Sequence, residues 1–402
     1  MGRLEDPVLR CIRCGTSFGI QRKKYTCDRC GALLEVDQGE MIFTKDSKFR
    51  GVWAYRELIH RGLIPRKIIS RGEGSTMLYR HPKVSDWAGV PNLFLKHEGE
   101  NPTGSFKDRG MTVAVSEALR LGATETICAS TGNTSASAAS YSALAGISSS
   151  VMIPDGGISQ SKLAQAIAYG ARIINVPGDF DLAMARIQDL ALRNSKYYIL
   201  NSINPWRIEG QKTIAFEIME ELKGCDYIAL PAGNLGNTSA IGKALLELKA
   251  MDFIDEVPRI VSVQAEGASP FYNLWAGNQS ELKPVKAETI ASAIRIGNPV
   301  NWEKALKSIK ATNGLVVRVS DNEIMAAKRI VDRSGIGCEP ASAASLAGVR
   351  KLVAEGRIDH NDTVVSVLTG HILKDAATAA SDPVKISLQE FLEESSQEIS
   401  AR

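Results

Sequence analysis

"YIALPAGNLGNTSAIGKALLEL", residues 227–248, decides how the chain folds. A short apolar run ends in a Pro-Ala-Gly-Asn-Leu-Gly-Asn turn and passes straight into an Ala/Leu-rich stretch. The run reads as a buried strand and the stretch as a helix. The same form recurs in "ETICASTGNTSASAASYSALAG" (125–146) and in "TVVSVLTGHILKDAATAA" (363–380). Strands alternating with helices predict an α/β fold with a parallel sheet and ligands bound beyond the carboxyl ends of the strands. "SSSVMIP" (148–154), "RIINVPG" (172–178) and "PRIVSVQAEG" (258–267) read as further strands, and "SQSKLAQAIAYG" (159–170) as a helix between the first two. No repeat of fixed period and no low-complexity linker interrupts the pattern. The tail from about Ile386 is polar and reads as a frayed surface helix.

The chain has 402 residues, enough for two or three domains, with 44% apolar and 23% charged residues and a net charge of +3. That weak charge, without a polybasic run, argues against nucleic-acid or membrane partners. No apolar run is long enough to span a bilayer, and the first residues lack an apolar signal core, so a cytoplasmic protein is expected.

Seven cysteines are present, an odd number that argues against a disulfide framework. Cys128, Cys225 and Cys338 stand among apolar residues and read as small hydrophobes. Cys11, Cys14, Cys27 and Cys30 are different. "CIRCGTSFGIQRKKYTCDRC" (11–30) carries two C-x2-C pairs, each followed by a glycine, Gly15 or Gly31, that suits a tight knuckle. This spacing predicts a tetrahedral zinc site within a ribbon-like module over residues 1–40. Four thiolates leave no open coordination position, so the metal is expected to be structural.

Two turns and one lysine carry the chemistry. In "PAGNLGN" (231–237), Gly233, Asn234, Leu235, Gly236 and Asn237 can aim backbone N–H groups at a phosphate, or they form an ordinary strand-to-helix turn. No G-K-[ST] closes the loop, so it is not a P-loop. "STGNTSAS" (130–137) crowds small polar groups at a second helix start, as an anion site or as plain capping. In "HEGENPTGSFKDRGM" (97–111), Lys107 sits at a helix start, where its charge opposes the helix dipole. A desolvated amine there is a nucleophile. An amine, a phosphate cradle and a second anion site together suit pyridoxal phosphate chemistry.

Residues 70–375 resemble the threonine synthases, within the fold type II (tryptophan synthase β-like) pyridoxal phosphate enzymes. The resemblance rests on "GEGST" (72–76), "NPTGSFKDRGM" (101–111), "STGNTSAS", "KLAQAIAYGA" (162–171), "NSINPWRIEGQKT" (201–213), "PAGNLGN", "AIRIGNP" (293–299), "CEPASAASLAG" (338–348) and "LTGHILKD" (368–375). It implies that Lys107 is the Schiff-base lysine. Asn133 would hydrogen-bond the cofactor's 3′-hydroxyl, Gly233 to Asn237 would hold its phosphate, and Thr369 would face the pyridine nitrogen. Ser130, Thr134, Asn201, Ser202 and Arg207 match positions for the substrate's phosphate and carboxylate, with Lys96 a further candidate for that phosphate. Two departures stand near the pocket: Met77 where the family commonly has proline, and "TSAIGKAL" (238–245) in place of an aromatic-bearing helix start.

The implied reaction turns O-phospho-L-homoserine and water into L-threonine and phosphate by β,γ-replacement. Cysteate synthase (phosphoserine plus sulfite) and a threonine or serine dehydratase are the alternatives on the same frame. The resemblance also implies a homodimer and two domains behind the ribbon. Residues 41–112 and 200–385 would form the large cofactor-binding domain, 113–199 a smaller mobile one and 386–402 a polar tail. A nucleic-acid role for the ribbon is disfavoured by the charge. A dinucleotide enzyme is disfavoured because no G-x-G-x-x-G with a following acid is suitably placed.

Overall fold

The computed structural model describes residues 7–154, 160–177, 180–194, 196–375 and 378. Three sheets organise them. The amino-terminal module is a three-stranded antiparallel sheet of β1 (Val8–Cys11), β2 (Ser17–Gly19) and β3 (Leu34–Asp37), with β1 central. The large sheet contains β4 (Leu78–Tyr79) and β5 (Asn92–His97). The chain then builds a four-stranded parallel sheet from β6 (Glu125–Ala129), β7 (Ser148–Pro154), β8 (Arg172–Val176) and β9 (Tyr197–Ile199), in the order β8-β7-β6-β9. It returns to the large sheet with β10 (Tyr227–Pro231), β11 (Arg259–Ala265), β12 (Leu315–Val319) and β13 (Thr363–Leu368). The large sheet runs β12-β11-β10-β13-β5-β4, parallel except for the antiparallel β4 at its edge.

Each apolar run read as a strand lies in one of these sheets. Every residue of β10 is buried, as expected for an inner parallel strand covered on both faces. Helix Pro340–Ala354 packs on it with a face of Ala, Ser and Gly. At Gly348 a Cβ would stand 2.5 Å from Val263 Cγ2, so glycine sets that close approach. In the third strand-turn-helix unit the strand forms as read, and the Ala-rich stretch expected as its helix lies outside the described residues but for Thr378. After β13 the described chain makes a short 3-10 turn, Ile372–Asp375, while the Thr369 carbonyl accepts from Phe106 N and His371 N donates to the Gly104 carbonyl in the Lys107 turn. The expected tail helix lies outside the described residues. Cys128 and Cys338 are buried as read, and Cys225 is half-buried.

The module touches both larger sheets. Lys304 and Lys243 donate to Leu34 and Val36 carbonyls at 2.7 and 2.6 Å, and Arg13 forms a two-pronged pair with Glu303 at 2.6 and 2.7 Å. These contacts hold β3 and the first knuckle to the large-sheet side. On the other side, the Tyr25 hydroxyl accepts from Ile199 N at 2.8 Å, and Lys23 donates to the Asn194 and Tyr197 carbonyls at 2.6 and 2.8 Å. The cysteine segment therefore spans from helix Trp302–Ala311 to the β9 edge of the four-stranded sheet.

Two helices cross behind the site at glycines. A Cβ on Gly210 would stand 1.8 Å from the Arg109 carbonyl oxygen, and one on Gly110 would stand 2.7 Å from that of Arg207. Helices Lys107–Arg120 and Pro205–Gln211 thus approach backbone to backbone.

Candidate active site

Lys107 is the first residue of its helix, and the turn before it is tightly braced. The Asp108 carboxylate accepts from Thr103 N and Thr103 Oγ1, both at 2.6 Å, and from Ser137 Oγ at 2.5 Å. Gly104, at φ +84°, supplies the bend that ordinary side chains resist. Phe106 N donates to the Thr369 carbonyl at 3.0 Å, which ties the turn to the end of β13. Below it, the fully buried Arg109 binds Glu98 at 2.6 and 2.8 Å and Glu217 at 2.7 Å through both prongs. Burial alone would raise the Glu217 carboxyl, but Arg109 and Lys96 hold it down at about 2. Removing one partner would strand a buried charge, which typically costs about 3–5 kcal/mol.

The lysine looks into a pocket lined by Asn133, Ser202, Arg207, Gln211, Gly233 to Asn237, Glu339 and Thr369. Burial, reinforced by the Arg207 charge and opposed by Glu339, pulls the Lys107 amine down to about 7. Arg207 is 2% exposed. Its Nη1 donates to the Leu200 carbonyl at 3.0 Å, its buried Nε has no partner, and among the described residues no carboxylate pairs with it. Desolvation lowers even this guanidinium to about 10.

The glycine loop forms the opposite wall. Leu235 takes φ +63°, and helix Gly236–Ala250 starts at the next residue, so the loop offers unpaired N–H groups at a positive dipole end. Gly233 backs onto 293–296, where a Cβ would stand 3.1 Å from Ile294 Cα. Asn237 is buried with both side-chain polar atoms unpartnered, as is Gln211 Oε1. Buried polar groups without partners are uncommon in folded proteins and mark a place for a ligand. A phosphate, which accepts hydrogen bonds from all sides, suits the loop amides and Asn237 Nδ2. Pyridoxal phosphate therefore fits the donor set. The space is narrow, about 50 Å³, so a ligand of that size requires one wall to give.

The predicted site residues divide. Lys107, Asn133, Ser202, Arg207, Gly233, Asn234, Leu235, Gly236, Asn237 and Thr369 share the pocket. Ser130, on the loop beside it, and Thr134, in the first turn of helix Asn133–Leu144, are half-exposed. Asn201 spends its carboxamide on both backbone groups of Ala129, at 2.9 and 2.8 Å, and so ties the chain after β9 to β6. Lys96 requires correction. Its ammonium is 1% exposed, donates to the Thr76 carbonyl at 2.6 Å and pairs with Glu217 at 2.8 Å, so it serves the Arg109 network and not a substrate phosphate. Met77 is 56% exposed and outside the pocket lining. In "TSAIGKAL", Lys243 reaches Glu209 and the module. Glu339 and Gln211 went unread: the first looks like a helix-start residue before proline, the second like a surface amide.

Residues 69–370 match the model of the family described as pyridoxal-phosphate dependent enzyme. The chain is 45% identical over 379 residues to the threonine synthase of Methanosarcina acetivorans, covering 92% of this chain and 93% of the relative. It is 46% identical over 391 residues to that of Methanocaldococcus jannaschii, covering 94% and 96%. The chain belongs to the threonine synthase family of pyridoxal-phosphate dependent enzymes. Among solved structures, the threonine synthase of Escherichia coli aligns with a TM-score of 0.70 at 16% identity, covering 95% of this chain and 93% of that one, a likeness of fold. In this pyridoxal-phosphate dependent enzyme the four cysteines also meet. Their Sγ atoms lie within 4.8 Å of one another, at knuckles where Gly15 and Gly31 take φ +71° and +72°. Four clustered thiols with that chemistry fit a zinc ion.

Proposed function

We propose that the protein is a threonine synthase, converting O-phospho-L-homoserine and water to L-threonine and phosphate. One observation carries the reading. Arg207 is a buried cation that no carboxylate pairs with among the described residues, in the same pocket as Lys107, whose amine is held down at about 7, and a phosphate cradle. A cation kept unpaired at that cost is an anchor for an anionic substrate group.

The roles follow from the residues. Gly233 to Asn237 and the Asn237 carboxamide hold the cofactor phosphate. Asn133 serves the ring hydroxyl and Thr369 the ring nitrogen. The Thr369 hydroxyl shares a 3.1 Å hydrogen bond with Ser342 Oγ and would meet the ring nitrogen as a neutral partner. Bound pyridoxal phosphate supplies an electron sink for the substrate carbons. Arg207 and Ser202 hold the substrate phosphate, with Ser130 and Thr134 for the carboxylate. Lys107, with its amine lowered to about 7 and so partly free of its proton near neutral pH, takes the proton from Cα, returns one there at the end and moves protons at Cβ. The Cγ–O bond breaks with departure of phosphate, water's hydroxyl ends on Cβ, and a proton returned to Cγ completes the methyl group. Residues 113–199 act as the smaller domain that closes on the site. A homodimer in the cytoplasm, with structural zinc on Cys11, Cys14, Cys27 and Cys30, completes the reading.

The test is phosphate release with phosphohomoserine, set against phosphoserine plus sulfite. Threonine formed in step with phosphate from the first, and nothing from the second, is expected. Cysteate from the second pair would replace the reading. Metal analysis of the same preparation should return one zinc per chain, and Cys14→Ser together with Cys27→Ser should lose it.

A further inference from the structure

Glu339 is 4% exposed and stands in the pocket wall immediately before helix Pro340–Ala354. Both its oxygens lie within hydrogen-bond distance of Asn133 Nδ2, at 3.1 and 3.0 Å. Its seat is built for it. Glu339 N donates to the Gly370 carbonyl at 3.1 Å, and a Cβ on Gly370 would stand 2.4 Å from Glu339 Oε1. The carboxylate can lie there only because residue 370 has no side chain. The helix start behind it favours a negative charge.

We propose that Glu339 is a positioning residue that dictates which end of the Asn133 carboxamide faces the cofactor. The inference rests on the pyridoxal phosphate reading above. A carboxylate accepts hydrogen bonds and donates none, so it selects Nδ2 and turns Oδ1 away. One Nδ2 hydrogen serves Glu339 and the second is left to donate into the pocket, toward a ring oxygen. The reversed amide would set Oδ1 against that oxygen. Nothing else among the described residues is hydrogen-bonded to the Asn133 side chain, so the choice falls to Glu339. Burial pushes the Glu339 carboxyl up, and Asn133, Lys374 and Lys107 oppose that rise, with Asp375 adding to it. The pair also joins the two larger sheets, since Asn133 follows β6 and Glu339 lies between β12 and β13.

The test uses apo-protein titrated with pyridoxal phosphate, reading both the dissociation constant and the position of the visible absorption band. Glu339→Gln keeps the volume but can face Asn133 with either end. It should weaken cofactor binding about tenfold, the worth of one hydrogen bond, and shift the band. In an Asn133→Ala background the same change should have no further effect, because the two residues act as one unit. Gly370→Ala, which displaces a carboxylate that stays charged, should shift the band in the same way. Independent, additive effects of Glu339→Gln and Asn133→Ala, or an unaltered band in Glu339→Gln, would overturn the proposal while the wild type is yellow. A wild type that stays colourless would overturn the cofactor reading and this proposal with it.

Discussion

Lys107→Ala should give a folded protein that stays colourless with pyridoxal phosphate and turns over at least about 10⁴-fold more slowly, the scale of losing both nucleophile and proton carrier. The side chain lines a pocket and makes no ion pair among the described residues, whereas its neighbours Asp108 and Arg109 bear the bracing hydrogen bonds. The amine sits at about 7, pulled down first by burial and then by Arg207. The rate of covalent cofactor capture by the apo-protein should therefore rise with pH up to about 7 and level off. A solvated lysine would keep rising toward about 10. The sign for stability is the reverse of a salt bridge. Between about 7 and about 10 the unfolded chain binds the lysine proton and the folded one does not, so this group's contribution improves as pH rises through that window. Capture with a midpoint near that of free lysine, or turnover retained by the alanine variant, would remove Lys107 from the chemistry.

Arg207→Ala should raise the KM for the phosphorylated substrate by two orders of magnitude or more, about the 2–5 kcal/mol of a desolvated charged contact. The apo-protein should melt no lower than wild type, because the guanidinium is buried with no carboxylate against it among the described residues and its removal relieves that cost. The two readouts together separate an anion anchor from a structural arginine. Arg109→Ala supplies the contrast: it leaves the buried Glu98 without a charged partner and Glu217 with Lys96 alone, and should lower stability sharply. An unchanged KM for Arg207→Ala would take it out of the substrate site.

What could be read in advance was local. The run and turn of 227–237, the polar loop at 130–137 and the lysine after "NPTGSF" each carry their meaning within a few residues. Strand patterning and turn chemistry act over that range. Contacts across the fold were not legible. Lys96 stands as a candidate for the substrate phosphate in the sequence because Glu217, its partner, lies far along the chain, on a helix, while the lysine is carried by a strand. Glu339 reads as the residue before a helix-starting proline, and only the return of Gly370 toward it turns that position into part of a pocket wall. Asn201 belongs to a motif shared with substrate-binding positions, yet its carboxamide is committed to β6, a pairing that exists only once the parallel sheet has formed.

The glycine crossing at Gly110 and Gly210 acts as a ruler. With two backbones in direct contact there is no slack between the helix that carries the amine and the one that carries the guanidinium. Any change of width that admits a ligand falls to the walls outside that crossing: the glycine loop 233–237, the Thr369 end of β13 and the Asn133–Glu339 pair. Proton carrier and phosphate anchor thus travel as one rigid gauge, against which the length of a substrate is measured.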